Sequence, residues 1–430
     1  MKIGIIGSGH VGLVTGACFA SLGNDVTCVD QDLKKIAFLK KGKSPIYEPG
    51  LEEFIRTNLK ERRIRFTSHI EQAVSRSDVL FICVGTPPRE NGEADLIAVE
   101  NVAKEIARLM TSYRLIVEKS TVPVETGQWV GRTLEANHRR RVPFDVASNP
   151  EFLREGTAIR DFMKPDRIIL GVESKRAEEI LRELYRPLKA PILVTDIKSA
   201  ELIKHASNSF LSLKISFINL VSRIAEAVGA DIQKIAEGMG LDRRIGPSFL
   251  NAGIGFGGFC FPKDLSAFIG IADKLGVDGK LLREVLEINA NQRRWFLEKI
   301  QRSLWNLKGK TLGILGLSFK PDTDDVRFAP SIDVVNGLLK EGARLRVYDP
   351  QAMPAAREIF GRKVTYAKNP YEAARGAEAL VVVTEWAEFV ELDFGRIRKL
   401  LRQPVIFDGR NLYDPWQMKK MGFQYHGIGR

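Results

Sequence analysis

A chain of 430 residues is too long for one hydrophobic core and implies two or three domains. At 44% hydrophobic and 27% charged, with no long low-complexity stretch, it falls outside the disordered and fibrous classes. The formal net charge of +12 suits anionic partners, yet the basic residues are scattered, apart from small clusters at Glu61-Arg62-Arg63 and Arg139-Arg140-Arg141, and match no nucleic-acid module, so acidic small ligands fit better than nucleic acid.

The apolar run after Lys2 is broken by Gly7-Ser8-Gly9-His10 after five residues, which argues against a signal peptide. Nowhere do about 18 uncharged apolar residues follow one another, so no membrane span is expected. The four cysteines (Cys18, Cys28, Cys83 and Cys260) lack paired spacing, which points to a reducing compartment and a cytoplasmic protein. No histidine pair has metal-ligand spacing, so no metal site is expected.

Lys2–Ile6 reads as a buried strand, Gly7-Ser8-Gly9-His10-Val11-Gly12 as a glycine turn, Leu13–Leu22 as a helix, and Asp25–Val29 as a second strand ending at Asp30. This is the dinucleotide fingerprint in its full context. Gly7 serves the turn, Gly9 lets a pyrophosphate approach the backbone, and Gly12 permits close helix packing. The helix start at His10 and Val11 offers N–H groups and a positive dipole. Asp30 suits a ribose hydroxyl and repels a 2′-phosphate, which favours NAD over NADP, a preference that Lys34 and Lys35 soften. Cys18 and Cys28 fall inside this helix and strand and read as small packing residues, as Cys83 does further on.

Strands at Val79–Val84 and Leu115–Glu118 alternate with helical patterns such as Leu96–Met110, which implies a parallel sheet with helices on both faces. Thr86 and Thr121 then lie in loops beyond strand C-termini, where a cofactor binds. The strand Asp145–Ala147 leads to Asn149–Gly156, in which Glu151 and Glu155 would share a face if the segment were helical. A solvated helix start is the plain alternative; their place beyond a strand end favours catalysis or sugar binding. Arg167–Val172 and Ile192–Thr195 close this domain as strands.

From Ser199 to about Val228 apolar residues recur at helical spacing without proline, giving a helix of about 45 Å that bridges domains and suits a subunit interface. Lys204 and Asn208, at i and i+4, suit an oxygen that develops negative charge. After the helical Ile232–Gly238, the stretch NAGIGFGGFCFPKD places Cys260 in a glycine-rich loop followed by Lys263 and Asp264. Glycines there allow close approach of a ligand, and a cationic neighbour such as Lys263 favours a thiolate nucleophile on an exposed turn. The bland alternative is a connector with a buried cysteine.

Helices are expected at Asp264–Lys274 and Gly279–Ser303. Thr311–Leu317 and Leu345–Asp349 then echo the opening strands, so a second strand–loop–helix–strand unit follows the first. Its loop Ser318–Arg327 lacks the glycine fingerprint and should bind something other than a second dinucleotide, with Lys320 and Arg327 able to meet phosphates. Ala379–Thr384 and Val405–Asp408 complete the sheet, with Arg410 beyond the last strand. The expected fold is α/β: two Rossmann-like, doubly wound parallel-sheet domains at 1–198 and 306–430, joined by a central helical domain at 199–305 with a long connecting helix.

GSGHVG with Asp30, VGTP at Val84–Pro87, KSTVP at Lys119–Pro123, NPEFLREG at Asn149–Gly156, Lys204 with Asn208, the block Phe249–Asp264 and GLSFKPDTDDVR at Gly316–Arg327 resemble, in order and across nearly the whole chain, the motifs of the UDP-glucose/GDP-mannose dehydrogenase family. The resemblance implies NAD-dependent four-electron oxidation of a nucleotide sugar, UDP-glucose foremost, to the uronate. GDP-mannose and UDP-N-acetyl-hexosamine oxidation are alternatives with the same chemistry, and a non-catalytic nucleotide-sugar-binding protein is another.

By resemblance Cys260 forms a thiohemiacetal and then a thioester, Lys204 and Asn208 stabilise oxygen charge, and Asp264, Thr121 and Glu151 handle water. Glu151, Phe152, Leu153, Arg154 and Glu155 would line the sugar-nucleotide site, as would Phe249, Leu250, Asn251, Ala252 and Gly253, together with Gly257, Lys320 and Arg410. Thr86, Thr121, Glu155, Lys263 and Arg327, with Lys35 and the glycine turn, would hold NAD, and Arg244 would reach a neighbouring subunit's substrate in a homodimer or larger homo-oligomer. Two positions depart from the family's pattern. His10 stands where tyrosine is common, and Phe259 precedes the cysteine where serine is usual.

Overall fold

A computed structural model of the chain describes residues 1–89, 93–138 and 141–430; Arg139 and Arg140 of the second basic cluster lie outside them. The chain forms two compact units, one of Met1–Ser207 with Ser266–Val277 and the other of Asn208–Leu265 with Asp278–Arg430.

The first unit holds strands β1 (Lys2–Ile6), β2 (Asp25–Val29), β3 (Ile64–Thr67), β4 (Val79–Ile82), β5 (Arg114–Glu118), β6 (Phe144–Ser148), β7 (Ile168–Val172) and β8 (Ile192–Thr195). They lie in the order β3-β2-β1-β4-β5-β6-β7-β8. Side chains alternate across a strand, and the burial follows that rule. Ile3 and Ile5 of β1 and Phe81 of β4 enter one buried cluster, whereas Ile6, Leu80 and Ile82 enter another on the opposite face. Both faces are therefore covered, as a doubly wound sheet requires. The β6–β7 pairing is antiparallel, with Ala147 opposite Val172, so the expectation of a wholly parallel sheet fails at that one junction. The segment between β6 and β7 carries the helix Ala158–Met163.

The second unit repeats the arrangement with β9 (Thr311–Leu315), β10 (Arg344–Tyr348), β11 (Thr365–Tyr366), β12 (Ala379–Val382), β13 (Val405–Asp408) and β14 (Gln424–His426), ordered β11-β10-β9-β12-β13-β14. Strand order reverses between β9 and β12 just as it does between β1 and β4, which confirms the internal repeat seen in the sequence. Leu312 and Ile314 pack on one face, and Leu315, Leu380 and Val382 on the other.

The helix Ile197–Val228, 32 residues long, runs from the first unit into the second. It starts where the Asp196 carboxylate accepts from Ser199 N at 2.8 Å, and it stops at Gly229, whose φ of +74° suits the left-handed residue that ends helices. Among the described residues no helix is long and apolar enough to cross a membrane. None of their His, Cys, Asp and Glu side chains form a group of three or more able to hold a metal ion.

Candidate active site

In the first unit, the loops beyond β1, β4 and β5 gather at the strand-order reversal. Each glycine of the fingerprint has a distinct reason to be glycine. Gly7 has φ +99°, and a Cβ on Gly12 would sit 1.9 Å from the Gly7 carbonyl oxygen. A Cβ on Gly9 would meet nothing within 4 Å, so the space beside it is open to a ligand. The helix His10–Ser21 follows with no side-chain cap and no acid in its first turn, leaving its N–H groups to an anion.

Asp30 Oδ2 accepts from Ser8 N at 3.0 Å and pairs with Lys35 Nζ at 2.7 Å, so Lys35 orients the acid and offsets its charge. Thr86 Oγ1 donates to Thr121 O at 2.9 Å, tying the loop after β4 to the loop after β5. His10 Nε2 lies 3.1 Å from Glu48 Oε2, and Glu48 also accepts from Gly156 N at 2.7 Å and Ala158 N at 2.9 Å. Burial works against a charged His10, but the Glu48 contact and the fields of Glu155, Glu48 and Glu151 outweigh it and raise the imidazole pKa.

The segment 151–154 is not helical, so Glu151 and Glu155 do not share a helix face. Glu151 turns inward, where Oε1 accepts from Lys204 Nζ at 2.8 Å and Oε2 from Leu153 N at 2.6 Å. Phe152 lies against Arg167 at 3.8 Å and Lys204 at 5.3 Å, measured to the ring centroid. Arg154 is exposed and binds Asp161 at 2.6 Å and 3.0 Å. The motif's Asn149 is structural: its Oδ1 accepts from Lys119 Nζ at 3.0 Å, and its Nδ2 donates to Ile169 O at 2.8 Å.

In the second unit, Cys260 does not stand on a turn but opens the helix Cys260–Lys274, with Pro262 in the first turn where its missing N–H costs nothing. The helix dipole faces the sulfur there and favours negative charge on it. Asp264, buried in the same first turns, accepts from Asn208 Nδ2 at 2.6 Å and pairs with Lys263 Nζ at 2.8 Å. Asn208 stands one turn beyond Lys204 on the long helix.

The glycines before Cys260 serve packing more than ligand approach. A Cβ would meet Gly409 O at 2.9 Å from Gly253, Asn289 Oδ1 at 2.4 Å from Gly255, Phe328 O at 2.4 Å from Gly257 and the Phe319 ring at 2.7 Å from Gly258. Three buried amides hold this loop. Asn219 Oδ1 accepts from Gly253 N at 2.9 Å, Gln292 Nε2 donates to Gly253 O at 2.9 Å, and Asn289 brackets Phe256 through its N at 2.8 Å and its O at 3.0 Å.

Arg410 donates to Gly255 O at 3.0 Å and Val383 O at 2.8 Å, so it braces the same loop against the sheet. Phe249, with φ +65°, packs on Phe261 at 6.2 Å between ring centroids. Leu250 and Ala252 bury their side chains, leaving only their main chains to meet a ligand, whereas Asn251 is exposed. Lys320 lies over the Phe319 ring at 5.7 Å, Arg327 binds Asp325 at 2.7 Å and 2.9 Å, and the exposed Arg244 binds Asp242 at 2.6 Å.

Residues 1–189 match the NAD binding domain of the UDP-glucose/GDP-mannose dehydrogenase family, 198–291 its central domain and 313–415 its UDP binding domain. The chain belongs to this family. It is 47% identical to the UDP-glucose 6-dehydrogenase TuaD of Bacillus subtilis over 429 residues, covering 100% of this chain and 93% of that protein. A solved UDP-glucose dehydrogenase from Pyrobaculum islandicum superimposes with a TM-score of 0.93 at 41% identity, over 99% of this chain and 97% of that one. A UDP-D-ManNAc dehydrogenase from Pyrococcus horikoshii gives 0.88 at 27% identity, over 100% and 99%.

NAD is the cofactor of the UDP-glucose/GDP-mannose dehydrogenase family's first domain. The open space at Gly9, the uncapped helix start and the oriented Asp30 fit that dinucleotide. Sequence reasoning missed Glu48, which joins the turn at His10 to the loop at Gly156, and the amides Asn219, Asn289 and Gln292 behind the cysteine loop. A polar residue at a helical position that ought to be apolar was the available signal for the amides. For Glu48, in Ile46–Gly50, there was none.

Proposed function

We propose that this family member oxidises UDP-glucose to UDP-glucuronate through a covalent bond to Cys260. The observation that carries the reading is the helix start at Cys260, with Lys263, Asp264 and Asn208 joined by contacts of 2.8 Å and 2.6 Å immediately behind it. The preference for glucose rests on the higher identity to proteins named for UDP-glucose, 47% and 41%, than to the one named for an N-acetylated sugar, 27%.

Bound NAD would accept one hydride in each of two oxidations. The residues do the rest. Lys204, an ammonium held by Glu151, and the Asn208 amide stabilise the oxygen of the reacting carbon as it gains charge. The Cys260 thiolate adds to the aldehyde carbon, giving a thiohemiacetal whose oxidation leaves a thioester. Water adds to the thioester carbonyl and the sulfur leaves as thiolate, with Asp264, Thr121 and Glu151 as the groups that position or deprotonate the water. One water is consumed, and two hydrides leave the sugar.

Gly7, Gly9, Gly12, Asp30, Thr86, Glu155, Lys263 and Arg327 are assigned to NAD. Glu151–Glu155, Phe249–Gly253, Gly257, Lys320 and Arg410 are assigned to the nucleotide sugar. The work divides among segments 1–198, 199–305 and 306–430. The thiols at Cys18, Cys28 and Cys83 are buried, and burial pushes the Cys83 thiol up to about 12, so they stay inert; the absence of paired cysteine spacing supports a reducing, cytoplasmic setting. Phe210, Phe217, Ile224 and Val228, all exposed on the long helix, support a homodimer.

The test is stoichiometry. UDP-glucose should yield about two NADH per uronate formed, as two hydride transfers require. Cys260→Ser should fail to release acid at a comparable rate. One NADH per product, or near-native turnover of Cys260→Ser, would overturn the covalent reading; activity with GDP-mannose or a UDP-N-acetyl-hexosamine in place of UDP-glucose would overturn the substrate.

A further inference from the structure

Phe259, the residue that departs from the family's serine, has a defined environment. Its ring centroid lies 4.4 Å from the Arg327 guanidinium carbon and 5.5 Å from Lys263 Nζ, both inside the range of cation–π attraction. Each cation is also anchored to a carboxylate, Arg327 to Asp325 at 2.7 Å and Lys263 to Asp264 at 2.8 Å. The ring therefore lies between two ion pairs. One is on the loop after β9, and the other is in the first turn of the Cys260 helix. The backbone adds to the tie, since Gly258 N donates to Arg327 O at 3.0 Å.

The two cations differ in what they need. Lys263 is buried, with 7% of its side chain exposed, and has little freedom to lose. Arg327 is 52% exposed, and its long side chain samples many rotamers unless a partner fixes it. Asp325 meets the edge of the guanidinium and leaves its face, which is the surface that an aromatic ring holds and a serine cannot.

We propose that Phe259 is a positioning residue for the cofactor: its ring fixes the exposed Arg327 beside the already buried Lys263, giving a preset pair of cations for the anionic part of a dinucleotide. The proposal rests on the reading that Arg327 and Lys263 hold NAD. It also accounts for the departure, because an aromatic residue in this loop does work that serine cannot do.

The experiment measures the NAD dissociation constant by calorimetry on the full-length protein carrying Phe259→Tyr, Phe259→Leu, Arg327→Ala, and the Leu and Ala changes together. Leucine keeps an apolar side chain but has no π face. Tyr should bind NAD within twofold of the native protein, and Leu three- to tenfold more weakly, about 0.6 to 1.4 kcal/mol and the size of a cation–π contact. In the Arg327→Ala background, Leu should add less than twofold. Native affinity in Phe259→Leu would overturn the proposal, as would a Leu effect of equal size without Arg327. If Arg327→Ala alone leaves NAD affinity unchanged, the cofactor role of Arg327 fails first, and the proposal falls with it.

Discussion

Lys204 Nζ lies 2.8 Å from Glu151 Oε1, and the two side chains are only 4% and 5% exposed. A buried ion pair is weak evidence of net stability, because desolvating both charges cancels much of their attraction. Breaking one half is different. Lys204→Ala should destabilise the protein by about 3–5 kcal/mol, since it strips a buried carboxylate of its counter-charge. Adding Glu151→Gln should recover most of that in urea denaturation but none of the NADH production. A double variant that turned over normally would remove Lys204 from the chemistry.

The fingerprint glycines separate binding from folding. Gly12→Ala places a methyl 1.9 Å from a backbone oxygen that cannot move aside, and should cost about 3 kcal/mol or more. Gly9→Ala meets no protein atom within 4 Å, so its unfolding midpoint should match the native one while NAD binding weakens at least tenfold. Equal loss of stability in both variants would mean that Gly9 is there for the fold and not for the pyrophosphate.

What the sequence disclosed was what is local. The strand–turn–helix at Lys2–Ser21, the repeat at Thr311–Tyr348 and the long helix all follow from periodicity and breakers within a few residues. The antiparallel β7 depends on which edge of the sheet is open, and that is not written in its own residues. Glu48 binds Gly156 and Ala158 across more than a hundred residues, and Asn289 reaches Phe256 across 33, so neither has a local signature. Cys260 was legible as a candidate nucleophile. Its place at a helix start was not, because Pro262 reads as a helix breaker until its position in the first turn is known.

Glu118 gives the fold a pH dependence. Burial, offset by hydrogen bonds from Ser120 and Lys119 and aided by the field of Glu201, pushes its carboxyl up to about 8 from an ordinary 4.5. The folded state therefore keeps a proton that the unfolded chain gives up. That contribution is fully present below pH 4.5 and is lost as pH rises to about 8. Glu118→Gln stays neutral throughout, so its stability relative to native should rise by a few kcal/mol between pH 5 and pH 8. Urea midpoints at the two pH values read this directly, and a constant difference would mean that Glu118 titrates normally. Lys119, which burial pushes down to about 8, acts mainly above that window and does not confuse the comparison.

The exposed stripe on the long helix makes the last prediction. Phe210, Phe217, Ile224 and Val228 are between 46% and 73% exposed and span about 27 Å of helix at intervals that keep them close to one side. Large apolar side chains in such a row are costly to leave in water, and a second copy of the same helix is the self-complementary cover that a two-fold dimer supplies. Phe217→Glu with Ile224→Glu puts two like charges on that seam in each copy. Light scattering should show a dimer for the native chain and a monomer for the double variant, with circular dichroism unchanged because neither side chain is in the core. A native monomer at tens of micromolar, or a dimer that tolerates both glutamates, would place the interface elsewhere.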